Sequence, residues 1–149
     1  MAADRSYIAE NDRERHRLET LAGKLDDAAL GRAMPAGWTV AGVLAHLAFW
    51  DQRIVVLCEL LGRGAVAPME VASDVDWIND AAKPAQLALP PRRAATLAVE
   101  TARAADQAVA ALPDDLLAKN AAAGSPINLR RAEHRREHLD EIEQALARG

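Results

Sequence analysis

Arg131–Arg148 reads RAEHRREHLDEIEQALAR, and the way this stretch coils decides the fold. Leu139, Ile142 and Leu146 recur at helical spacing, and Ala132 and Leu129 extend the same stripe upstream. The pattern predicts the last helix of a bundle. It also carries His134 and His138, which stand one helical turn apart and project from one face. On a helical projection His138 lies about 100° from the packing stripe and His134 somewhat further round. Both imidazoles therefore stand on a shoulder of the helix, at the rim of a groove.

Working upstream, a third histidine, His46, lies in GWTVAGVLAHLAFWDQR, residues 37–53. Pro35 and Gly37 break the chain, Thr39 is a suitable N-cap, and Trp38 and Val43 have the spacing of a hydrophobic staple. The spacing predicts a second helix from Val40 to Leu61, ending at Gly62 and Gly64. Its core stripe is Val40, Val43, Leu44, Leu47, Ile54, Cys58 and Leu61. Cys58 falls inside that stripe and reads as core. His46 projects about 90° from its centre, on the side of Trp50, Arg53 and Leu57. Asp51 falls within the apolar face and needs a partner there: a loop backbone, an arginine or a ligand histidine.

A first helix is predicted from Ser6 to Leu30, with Leu18, Leu21, Leu25 and Ala29 facing inward and Gly31 as its stop. His16 projects almost opposite that stripe and reads as solvated. Residues 63–91 read as a long connection punctuated by Pro68, Pro84, Pro90 and Pro91. Within it SDVDWINDAA suits a short helix capped by Ser73 or Asp74. A third helix is predicted from Arg92 to Leu112, its inner face being Ala94, Ala98, Thr101, Ala105, Val109 and Leu112. Pro113 ends it and DDLLAK suits one further turn. AAAGSPIN is a joint, with Ser125 or Asn128 as cap and Pro126 at the first helical position. The fold class is all-α: a four-helix bundle, up-up-down-down, with a long crossover carrying a short helix.

Composition sets the outer bounds. The 149 residues fit one domain, half of them hydrophobic but only 3% aromatic. The core is therefore aliphatic and alanine-rich, which favours helix. The net charge of −4 gives no basic footprint for nucleic acid. With Cys58 as its one cysteine, the chain forms no internal disulfide. The charged N-terminus has no apolar signal region, and no apolar run reads as long enough to span a bilayer. A cytoplasmic protein without membrane or nucleic-acid partners is expected.

The histidines allow two readings. Three neutral imidazoles suit Zn²⁺, Ni²⁺ or another borderline divalent ion, with a position left open for water or substrate. Alternatively, His134 and His138 are surface residues of a charged helix. HRREH is not HExxH, so the zincin arrangement fails. Glu137 and Glu141 could orient His134 or serve as a base, or simply be solvated. No glycine-rich phosphate loop and no GxSxG elbow is present.

GWTVAGVLAHLAFWD followed by HRREHLDEIEQAL resembles the DinB-like (YfiT-like) superfamily of metal-binding four-helix bundles. The nearest type is the N-terminal domain of mycothiol-dependent maleylpyruvate isomerase. The shared patterns are GWT before the second helix, H-L-x-x-W-D at His46, Leu47, Trp50 and Asp51, and V-D-x-x-N at Val75, Asp76, Ile78 and Asn79 around Trp77. The last-helix pair is His134 and His138. The resemblance implies one divalent ion on His46, His134 and His138, with Zn or Ni the leading candidates. It implies activation of a low-molecular-weight thiol, as in thiol S-transferases and isomerases, or of water, as in hydrolases, against a small electrophilic substrate. A non-catalytic binding or stress-response bundle is the alternative. Asp51 would be structural or support a ligand, and Arg53 or Arg131 would neutralise an anionic substrate. A homodimer is compatible with a stand-alone member. The C-terminal domain of that isomerase is not in this sequence, and its branch can carry a glutamate where His134 stands. Both differences set that particular substrate apart.

Overall fold

The computed structural model describes residues 2–65 and 72–148, the latter by backbone alone at 72–74. Pro68, and the side chains of the expected caps Ser73 and Asp74, lie outside what is described. The described residues form helices α1 (Tyr7–Lys24), α2 (Asp27–Leu30), α3 (Val40–Gly62), α4 (Ala72–Ala88), α5 (Pro91–Ala110), α6 (Asp114–Ala122) and α7 (Arg131–Ala147). No strand occurs among them. A single bridge between Ala33 and Thr39 closes the loop before α3.

The core lies between α1, α3, α5 and α7. Leu18, Val40, Leu44, Leu47, Leu139 and Ile142 are buried at its centre with Ala94, Ala98 and Ala102. The alanine face of α5 leaves no bulk between backbones, so α3 and α5 share the most extensive contact in the molecule. Every residue of the predicted α3 stripe is buried, Cys58 included, and burial pushes its thiol up to about 11. α3 is also long and apolar enough to cross a membrane, contrary to the expectation that no run is; most of it is buried here against the other helices.

The first predicted helix is two. Leu25 is extended, and Asp26 opens α2 by accepting from the Ala29 amide. The carbonyls freed at the end of α1, Ala22 and Leu25, accept from the Arg92 guanidinium. The crossover helix α4 is not short: it spans 17 residues and runs through Pro84. Alanines and other good helix formers surround that proline, and one missing amide donor is a local cost. α6 likewise extends beyond the single turn expected after Pro113.

Contacts at both ends fix the helix directions. Tyr7, opening α1, donates to the Val109 carbonyl near the end of α5, whereas Arg92, near the start of α5, reaches past the end of α1. These two helices are antiparallel. Asn11 meets Leu129 and Ala132 at the start of α7, while Arg17 meets Asp140 further along, so α1 and α7 are parallel. His46 meets His134 while the later Asp51 meets the earlier Arg131, so α3 and α7 are antiparallel. The long helices therefore run up, down, down, up, which corrects the expected up-up-down-down order. That order needs two long crossovers. Here the bundle-length return is α4, about 25 Å of helix between α3 and α5.

The joint before α7 also differs from expectation. Neither Ser125 nor Asn128 is the N-cap; Asn128 accepts from Arg130 in a local turn. The first turn of α7 is instead served from α1, where the buried Asn11 accepts from the Ala132 amide (2.9 Å) and donates to the Leu129 carbonyl (2.9 Å). Asn11→Ala strands the buried Ala132 amide, while the Leu129 carbonyl keeps the Arg131 amide as its donor. A loss of about 1–3 kcal/mol is expected in urea denaturation of the metal-free protein; an unchanged midpoint would remove Asn11 from this role.

Candidate metal centre

Two helices supply the site. Thr39 caps α3 by accepting from the Gly42 amide, which sets the register that turns His46 toward α7. The helical spacing of α7 stacks His134 and His138 on the side facing it. His46 Nε2 lies 3.2 Å from His134 Nε2, which lies 3.1 Å from His138 Nε2. One ligand atom from each of the three falls within 4.8 Å of the others. Zn–N bonds of about 2.0–2.1 Å at tetrahedral angles would put such nitrogens about 3.3–3.4 Å apart, so the His46–His134 and His134–His138 separations suit a borderline divalent ion.

The surroundings prepare these nitrogens for a cation. Burial first, then His138, pushes His46 down to about 4. Burial, reinforced by His138 and the other positive groups nearby, pushes His134 down to about 3. At neutral pH both rings are uncharged, and their lone pairs are free of competing protons. His138 Nδ1 lies 2.9 Å from Glu141 Oε2. With the proton on Nδ1 donated to that carboxylate, Nε2 presents its lone pair inward. Glu141 therefore orients His138, not His134 as one sequence reading allowed. His46 Nδ1 is buried and has no hydrogen-bond partner among the described residues.

A cleft of about 1120 Å³ opens beside the three rings. Trp38 packs edge-on against His46, and the Lys83 ammonium of α4 lies over the Trp38 ring, 5.0 Å from its centroid. Trp50 donates through its indole nitrogen to Asn79 (2.8 Å), which ties α4 to α3. Val75, Asp76 and Asn79 all line the cleft, whereas Trp77 is 60% exposed. Arg53 reaches the cleft with its guanidinium 5.6 Å from the Trp50 ring, and Glu137 is an exposed residue of the same wall. Arg131 borders the cleft but is buried, and its Nε donates to Asp51 Oδ1 at 2.9 Å. His16 is exposed on α1, outside the cluster.

Arg135 and Asp106 were not singled out from the sequence, yet they form a buried ion pair here. Arg135 Nη2 lies 2.7 Å from Asp106 Oδ1 and 3.3 Å from Asp51 Oδ2. The signal was available: Ala132, Arg135, Leu139 and Ile142 follow the i, i+3, i+7, i+10 stripe of a buried helix face. Charge had masked the position.

A buried histidine whose folded pKa lies below its unfolded value of 6.5 holds fewer protons folded than unfolded. Its contribution is fully present above about pH 6.5 and is lost as pH falls toward 4 and then 3. The thermal midpoint of the metal-free protein should therefore fall through this window, and the double variant His46→Ala, His134→Ala should fall less steeply. Parallel curves would contradict the burial of neutral rings.

The family model described as mycothiol maleylpyruvate isomerase N-terminal domain matches residues 12–143. No curated protein and no solved structure matches. With nearly the whole chain covered, the protein belongs to the mycothiol maleylpyruvate isomerase N-terminal domain family, a DinB-like helical family.

Proposed function

We propose that this protein is a divalent-metal-dependent enzyme that activates a low-molecular-weight thiol, or water, against a small electrophilic substrate. The observation that carries the reading is the convergence of three imidazole nitrogens at the edge of an open cleft. His46, His134 and His138 would hold the ion, with Zn or Ni best suited to three nitrogen donors. Three protein ligands leave room for an exogenous one, which is the catalytic rather than the structural pattern. When bound, such an ion supplies Lewis acidity and lowers the pKa of a thiol or water at the open position.

The chain's own groups do the rest. Glu141 keeps His138 in the tautomer that faces inward. Glu137, on the cleft wall, is placed to take up a proton released during activation. Arg53 is better placed than Arg131 to neutralise an anionic substrate, because it is half-buried at the cleft whereas Arg131 is buried. The Trp50–Asn79 bond holds the α4 wall against the site. The family match favours a thiol over water, since its description names a mycothiol enzyme. We place the reaction in the cytoplasm, with a small molecule as partner, no nucleic acid or membrane, and a homodimer as the assembly.

Metal analysis of tag-free protein, paired with turnover of an electrophile with and without a bacterial low-molecular-weight thiol, tests this. Stoichiometric Zn or Ni, lost in His46→Ala, and thiol-dependent turnover are expected. Turnover without thiol would turn the reading to a hydrolase, and bound metal without turnover to a non-catalytic bundle. Absence of stoichiometric metal would sink it.

A further inference from the structure

Four charged side chains lie in the interior, on α3, α7 and α5. Asp51 is 2% exposed, Arg131 5%, Arg135 0% and Asp106 5%. Arg131 Nε donates to Asp51 Oδ1 at 2.9 Å, and Arg135 Nη2 reaches Asp51 Oδ2 at 3.3 Å. Arg135 also grips Asp106 with both terminal nitrogens, at 2.7 and 2.9 Å. Asp106 Oδ2 accepts from Arg15 as well, which carries the set out to Asp12 and Glu19 near the surface.

Buried ion pairs contribute little net stability, because desolvation offsets their attraction. Stability alone is thus a weak reason for this set. Its placement offers another. Arg131 lies three residues before His134, and Arg135 three before His138, so each arginine sits one helical turn from a ligand on α7. Two guanidinium charges at that range, in a medium less polar than water, oppose the arrival of a divalent cation. Asp51, five residues beyond His46 on α3, is the carboxylate that touches both arginines.

We infer that Asp51 is a charge-balancing residue of the metal centre: by neutralising Arg131 and Arg135 it makes the three-histidine cluster able to accept a divalent cation. This rests on the metal reading given above. The role is electrostatic. Removing the Asp51 charge weakens binding, and removing the Arg131 charge as well restores it.

Zn²⁺ dissociation constants, measured by competition with a chromophoric chelator on metal-free protein, test this in wild type, Asp51→Asn, Arg131→Gln and the double variant. Circular dichroism and urea midpoints follow folding in parallel. Asp51→Asn should bind about 10- to 100-fold more weakly than wild type. The double variant should return to within about threefold of wild type. Arg131→Gln should bind at least as tightly as wild type, a result that stands even if Asp51→Asn fails to fold. An unchanged constant in Asp51→Asn, a double variant as weak as Asp51→Asn, or a tenfold weaker Arg131→Gln would each overturn the inference with the metal reading intact. A wild type that binds no Zn²⁺ at all would overturn both.

Discussion

A guanidinium with no exposure to solvent ties four helices of this protein together. Arg135 of α7 reaches Asp106 on α5 and Asp51 on α3, and donates to backbone carbonyls on α1 and α5 as well. Burial works against its charge, and the Asp51 and Asp106 carboxylates outweigh that, so its proton is held more tightly than usual. An aliphatic core of alanine, leucine and valine is non-directional and tolerates small rotations of its helices. Geometrically demanding hydrogen bonds do not. The rotation of α7 about its own axis is therefore set by Arg135, Arg131 and the Asn11 bonds, while the apolar stripe supplies the burial.

That rotation is what brings the imidazoles to the right place. His134 and His138 stand on a shoulder of α7, and a modest turn would carry them into solvent. Held as they are, they meet His46 across the α3–α7 seam, the His134 Nε2 lying 3.2 Å from that of His46 and 3.1 Å from that of His138. Desolvation keeps His46 and His134 neutral, and Glu141 fixes the proton of His138. α4 completes the setting. It closes one side of the cleft, fastened by Asn79 to Trp50 and by Lys83 to the Ala36 carbonyl.

Most of this was legible in the chain because periodicity reports burial. The α3 stripe, the α5 alanine face and the shoulder positions of the histidines follow from spacing alone. Asp51 could be recognised as a buried carboxylate in need of a partner because it interrupts an apolar face. Its partners could not be named, because Arg131 and Arg135 sit in a run of charges that reads as a solvated surface. The remote cap by Asn11 was invisible for a different reason: a cap from another helix leaves no local pattern. The order of helix directions required knowing how many connections span the bundle. α4 concealed that, since Pro84 made a long helix look like a broken loop.

We propose that three imidazoles of one chain would form the protein shell of a metal ion. X-ray absorption spectroscopy of the Zn-loaded protein addresses it most directly. Three imidazole nitrogens at about 2.0–2.1 Å plus one exchangeable oxygen ligand are predicted. A shell built from oxygen alone, or unchanged after His134→Ala and His138→Ala, would contradict the account.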